Sequence, residues 1–123
     1  MLIFDKMLTG DLPFFEIISK KDIQSTPPDS VVLFDYNVEL AKYCKNNSIL
    51  FAMRINSIKE LVYANALGCE YAIVKKDLVK TAQNIANEYI FDMKIILPIE
   101  NDEELEWAVF EGIDGVIRMR DER

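Results

Sequence analysis

One absence decides most of the chemistry open to this chain: among its 123 residues there is no histidine. That excludes Ser-His-Asp and Cys-His nucleophilic catalysis, HExxH zinc chemistry and imidazole acid–base work together. Asp, Glu, Lys, Tyr, Cys and Arg remain. Several of them stand at the ends of apolar runs: Asp35 and Asn37, Arg54 and Asn56, Lys75 and Lys76, Glu100 and Asn101, Arg118 and Arg120. In parallel α/β folds ligands bind outside the carboxyl ends of the strands. Arg54, Lys75, Lys76 and Arg118 are therefore the candidate set for holding a small phosphorylated or carboxylated ligand. Helix N-termini at residues 57, 77 and 101 would add amide donors and positive dipole ends at the same edge.

Catalysis would need more from these residues. Lys75 or Lys76, buried beside another cation, could form a Schiff base. Asp35 and Glu100 could hold a magnesium ion or act as acid and base. A bland reading accounts for the same residues: charges gather where strands meet water, and Arg118 and Arg120 would then pair with Glu100 or Asp121. Cys44, on a helix, and Cys69, at a helix–strand turn, read as packing thiols rather than nucleophiles. The four glycines at 10, 68, 112 and 115 are scattered, so no glycine-rich phosphate loop exists and nothing calls for a cofactor.

The elements that must position these residues follow from hydrophobic patterning. Strands are expected over Val31–Tyr36, Ile49–Ile55, Tyr71–Lys75, Lys94–Ile99 and Gly115–Met119, with helices over Val38–Lys45, Ile58–Leu67, Leu78–Tyr89 and Glu103–Glu111 between them. The strands are apolar throughout rather than alternating, as in a parallel sheet covered on both faces. Regular alternation with helices means βαβ units with right-handed crossovers. Ser57-x-x-Glu60 reads as a capping box and Asn101-x-x-Glu104 follows the same logic, with Asn37 and Asp77 as caps for the other two helices. Gly68 and Gly112 stand just past helix ends, where a left-handed residue is wanted. Before residue 31 the pattern is less decisive. Leu2–Phe4 reads as a short strand, Leu12–Ser19 as a helix or Phe15–Ile18 as a strand, and Gln24–Ser30 as a proline-containing loop.

An internal repeat supports this layout. Setting Leu50–Lys76 on Lys94–Arg120 at an offset of 44 pairs Ile55 with Ile99, Glu60 with Glu104, Ala64 with Ala108 and Gly68 with Gly112. Residues 49–76 and 95–119 resemble late βα units of glycerophosphodiester phosphodiesterase-type (βα)8 barrels. The likeness lies around Ala66-Leu67-Gly68-Cys69-Glu70 and Glu111-Gly112-Ile113-Asp114-Gly115-Val116-Ile117. It implies barrel-type βα units. That family relies on histidines, so its activity is not implied here. Pro98-Ile99-Glu100-Asn101 with Asp114-Gly115-Val116 and Arg120-Asp121 is similar to the metal-carboxylate stretch of pyruvate kinase-like and related aldolase barrels. This likeness implies Glu100 and Asp121 as metal carboxylates, although Pro98 and Arg120 replace that family's lysine and glycine. Asp35 and Lys75 resemble the phospho-acceptor and lysine of a receiver domain. Met53 or a neighbour stands where the switch hydroxyl belongs, and that activity is rejected.

Composition bounds the rest. Fourteen Lys and Arg against twenty-one Asp and Glu give a net charge of −7, and half of the chain is apolar. This describes a single α/β domain over residues 1–123 with a real core. The acidic balance argues against nucleic acid and anionic membrane as partners. The apolar runs are far short of the ~20 residues of a membrane span. No basic leader with an apolar run is visible at Met1–Gly10, and the two cysteines form no CxxC pair, so a reduced cytoplasmic protein is expected. The expected fold is a mainly parallel sheet of five or six strands, either half-barrel-like or a flavodoxin-like open sheet. An exposed parallel edge would be covered by forming a homodimer. Three functions follow: a non-catalytic interaction or regulatory module, a binder of a small anionic metabolite at the strand ends, or a Lys- or Mg-dependent lyase-type enzyme. The first ranks ahead because every catalytic set is missing members.

Overall fold

A computed structural model describes residues 1–118, and residues 119–123, with Arg120 and Asp121, lie outside the described part. Seven strands form one all-parallel sheet: β1 (Leu2–Asp5), β2 (Phe14–Glu16), β3 (Val31–Asp35), β4 (Phe51–Ile55), β5 (Tyr71–Val74), β6 (Lys94–Pro98) and β7 (Gly115–Arg118). Between them lie α1 (Lys6–Thr9), a 3-10 helix (Lys20–Ser25), α2 (Val38–Asn46), α3 (Ile58–Ala66), α4 (Lys76–Glu88) and α5 (Asp102–Glu111). The strand order is β1-β7-β6-β5-β4-β3-β2. From β2 to β7 each strand lies beside its successor, and β1 closes the far edge. The sheet curls into a half-barrel. A flavodoxin-like sheet instead reverses its order in the middle and carries helices on both faces.

The uninterrupted apolar strands are explained by two cores. Side chains alternate along each strand. Val32, Phe34, Met53, Ile55, Ala72, Val74, Ile95, Leu97 and Val116 pack beneath the helices with Leu40, Leu61, Val79 and Ala108. Phe14, Val31, Leu33, Ala52, Ile73, Ile96 and Ile117 fill the concave side, with Phe4, Leu12 and Tyr71 packed against them. Phe4 of β1 and Phe14 of β2 meet edge to face at 5.0 Å, and both meet Tyr71 of β5, at 5.4 and 5.6 Å. Strands at opposite ends of the sheet therefore touch through their side chains.

Two expectations are corrected and one open alternative is decided. The sheet has seven strands rather than five or six, because both short N-terminal segments join it. Phe14–Glu16 is a strand, not part of a helix over Leu12–Ser19: Phe14 and Ile17 are buried on opposite sides of the sheet, a period of two that a helix cannot provide. Asp77 does not cap α4, which starts one residue earlier, at Lys76. The other caps form as expected. Asn37, Ser57 and Asn101 accept from the amides of Leu40, Glu60 and Glu104. Gly68 and Gly112 take left-handed φ values of 86° and 71°. Among the described residues no helix is long and apolar enough to cross a membrane.

Gly115 shows how tightly the β1 edge is seated. It lies between Leu2 and Ile96 in register, and a Cβ there would stand 2.8 Å from Ile96 Cδ1, Leu2 Cβ and the Leu2 carbonyl oxygen. The backbone oxygen cannot move without breaking the β1–β7 ladder. Gly115→Ala is expected to lower the unfolding free energy by about 1–3 kcal/mol, read as a shift of the urea midpoint.

Candidate functional site

The curl brings the carboxyl ends of β3 to β7 around one cleft of about 810 Å³. Leu33, Ile73, Pro98 and Ile117 supply apolar surface from the concave side, and Asp35, Arg54, Glu60, Lys75, Lys76, Glu100 and Glu104 supply charge. This is the usual place for a ligand in a sheet of parallel βα units, within the usual size range for small-molecule pockets. All four candidate anion-binding residues, Arg54, Lys75, Lys76 and Arg118, border it. Their surroundings separate them.

Arg54 is tied down. On β4 it lies beside Asp35 of β3 in register, and its guanidinium donates to Asp35 Oδ1 at 3.1 Å and to Glu16 Oε1 of β2. Alternation puts these three side chains on the concave side, where they make a polar layer above Leu33 and Ala52. Glu16 was not a candidate from sequence, since its segment could be read as helix or strand. Asp35 is likewise engaged by Arg54, which takes it out of a simple carboxylate pair with Glu100.

Arg118 serves the opposite face. Its side chain is 4% exposed, with Nη2 donating to Asp102 Oδ1 of α5 at 2.9 Å and Nε 3.7 Å from Asp5 Oδ2 of β1. Asp5 is also its register partner. The carboxylates facing Arg118 are thus Asp5 and Asp102, not Glu100. The sequence signal was the coincidence of strand ends: β1 and β7 finish on opposite charges, readable only once they are known to be neighbours. The proposed partner Asp121 and the second strand-end arginine, Arg120, fall outside the described residues.

The lysines remain at the surface. Lys76 Nζ lies 4.9 Å from the centre of the Trp107 ring on α5. Lys75 is exposed and forms no ion pair among the described residues. It occupies the cap position of α4 without a side-chain hydrogen bond to the helix. The contrast with α3 and α5 is chemical. Glu60 and Glu104 reach back to the amides of Asn56 and Glu100, at 2.9 and 3.0 Å, one residue before the caps Ser57 and Asn101. Two of the cleft's carboxylates are thereby occupied, and the 44-residue repeat is reproduced in three dimensions. Neither lysine has the burial that a Schiff-base amine requires. Among the described residues no three Asp, Glu or Cys side chains are grouped to hold a metal ion.

The thiols stand apart from the cleft. Both are buried. Burial pushes Cys44 up to about 11 and Cys69 up to about 12, and the Cys69 thiol donates to the Tyr71 carbonyl at 3.2 Å.

Two outcomes are expected. Arg118→Ala removes the buried cation of the β1–β7 junction and is expected to cost about 3–5 kcal/mol of stability, measured by urea unfolding. At neutral pH both thiols are protonated and sealed, so a thiol-labelling reagent should react only after denaturant is added. Because folding raises their pKa values, the stability they contribute persists up to about pH 9, the ordinary thiol value, and declines above it as the unfolded thiols ionise. In comparisons with known proteins, no family model and no curated protein matches the chain.

Proposed function

We propose that this chain is a non-catalytic binding module whose cleft takes a small organic molecule carrying one phosphate or carboxylate group. The observation that carries this reading is Lys75: a cation on the cleft, without an acidic partner among the described residues, at the start of a 13-residue helix. The first two amides of α4, of Lys76 and Asp77, have no acceptor among the described residues. An anion placed there would meet two amide donors, the positive end of a helix and an ammonium group. The apolar floor of Ile73, Pro98 and Ile117 suits the body of a small molecule.

The rest of the rim narrows the ligand. Arg54 is neutralised by Asp35 and Glu16, and Arg118 by Asp5 and Asp102, so neither adds free positive charge. Glu100 and Glu104 stand on the α5 side of the cleft. A polyphosphate would be repelled by them. A single anionic group joined to hydroxyls or an amine, which can donate to Glu100, fits the charge pattern better. A non-catalytic role rests on the same facts, since among the described residues no group in the cleft combines burial, a base and a neighbouring nucleophile.

The test is a thermal-shift screen at fixed ionic strength with sugar monophosphates, hydroxy acids, amino acids and nucleoside triphosphates, followed by titration calorimetry. A ligand at 100 times its dissociation constant adds about 2.7 kcal/mol, a rise of several degrees for a domain of this size. Sugar monophosphates, hydroxy acids or amino acids are expected to bind and triphosphates to fail. Lys75→Ala should weaken binding at least tenfold, whereas Lys94→Ala, at the opposite end of the sheet, should leave it unchanged. Absence of any shift across the panel, or binding indifferent to Lys75→Ala, would overturn the reading.

A further inference from the structure

We infer that the outer flank of β1 and β2 is the surface through which two copies of this chain associate. Strands β3 to β7 have their convex side covered by α2 to α5. Among the described residues the first two strands have no such cover: α1 is a single turn, and β2 leads into a short 3-10 helix. Register makes the comparison direct. Ile3 pairs with Val116 and Phe15 with Val32, all four on the convex side. Val116 and Val32 are 0% and 1% exposed, whereas Ile3 and Phe15 are 37% and 43% exposed.

This flank is where the chain's uncovered apolar surface is concentrated. Seven of the fifteen large apolar residues that are exposed lie within the first eighteen residues, among them Met7 and Leu8 on α1 and Ile18 after β2. Leu2 shares the concave side with Phe4, and at roughly 200 Å² for each large side chain the exposed fractions of the other six amount to roughly 670 Å². Each partner in a stable complex buries ~800 Å², so the patch is close to what a dimer needs and larger than a typical monomer leaves open. Both sheet edges also end here, unpaired among the described residues.

Charge does not oppose a second copy as the occupant. Residues 1–25 hold three lysines against four acids, a balance of −1, while residues 26–123 hold eleven basic against seventeen acidic residues, a balance of −6. Per residue the two balances are similar, so this flank carries no excess of charge that would keep two copies apart. An apolar, nearly neutral patch is also self-complementary, which is the requirement for a two-fold interface.

Sedimentation equilibrium of the full chain over micromolar concentrations tests the inference. Twice the chain mass is expected. Ile18→Glu alters a side chain 89% exposed and so leaves the core intact, and with Phe15→Asp it should raise the dimer dissociation constant at least a hundredfold. Phe110→Glu, equally polar and 92% exposed on α5, should change nothing. Circular dichroism checks that each variant is folded. A wild-type chain that stays monomeric at 100 times the concentration used for the variants would overturn the inference and leave the flank to a different partner. A dimer insensitive to Ile18→Glu and Phe15→Asp, or broken by Phe110→Glu, would overturn it too.

Discussion

Phe4, Phe14 and Tyr71 come from the two edge strands and the middle strand of the sheet, and they meet edge to face on its concave side. The shape of the molecule depends on that contact. A flat seven-stranded parallel sheet with helices on one side would leave Val31, Leu33, Ala52, Ile73, Ile96 and Ile117 in water. Curling turns this surface inward, and the three rings fill the space that the smaller aliphatic side chains leave. Aromatic rings in edge-to-face geometry add a modest attraction to the area they bury. Gly115 allows the β1 edge to sit close against Leu2 and Ile96, so the curl is also a matter of backbone clearance.

The cleft follows from the same curvature. Strand ends that would lie in a row on a flat sheet are bent round a common opening, and aliphatic side chains of the concave layer become its floor. Within that opening the charges are sorted by their neighbours. On the β2–β4 side the carboxylates of Glu16 and Asp35 outnumber the one cation between them, Arg54. Behind β7 Arg118 is withdrawn into the β1–β7 junction by Asp5 and Asp102. Lys75 and Lys76 are left as cations at the opening without a carboxylate partner among the described residues, Lys76 over the Trp107 ring and Lys75 at a helix start that no described side chain caps.

The edge arginine illustrates how cost and specificity combine. A buried guanidinium with one nitrogen, Nε, lacking a hydrogen bond is not an efficient source of stability. What it provides is an opposing charge at the matching register of the neighbouring strand, Asp5 on β1. The register of β6 is set similarly, by Asp114 accepting from the Ile95 amide at 2.9 Å while its own amide donates to Gln83.

From residue 31 onward the sequence by itself determined the strands, the helices, three of the four caps and the left-handed glycines. Each rests on neighbours within one turn or one strand, a range over which apolar spacing and capping chemistry are legible. It also placed the four basic residues at strand ends. The number of strands and the choice between an open sheet and a half-barrel required the tertiary structure. The segments Leu2–Asp5 and Phe14–Glu16 are too short to declare themselves, and what makes them strands is a ladder to residues far away in the chain. The fate of each arginine was decided in the same way. Glu16 and Asp5 lie 38 and 113 positions from Arg54 and Arg118, and only the curl and the strand order make them the nearest counter-charges.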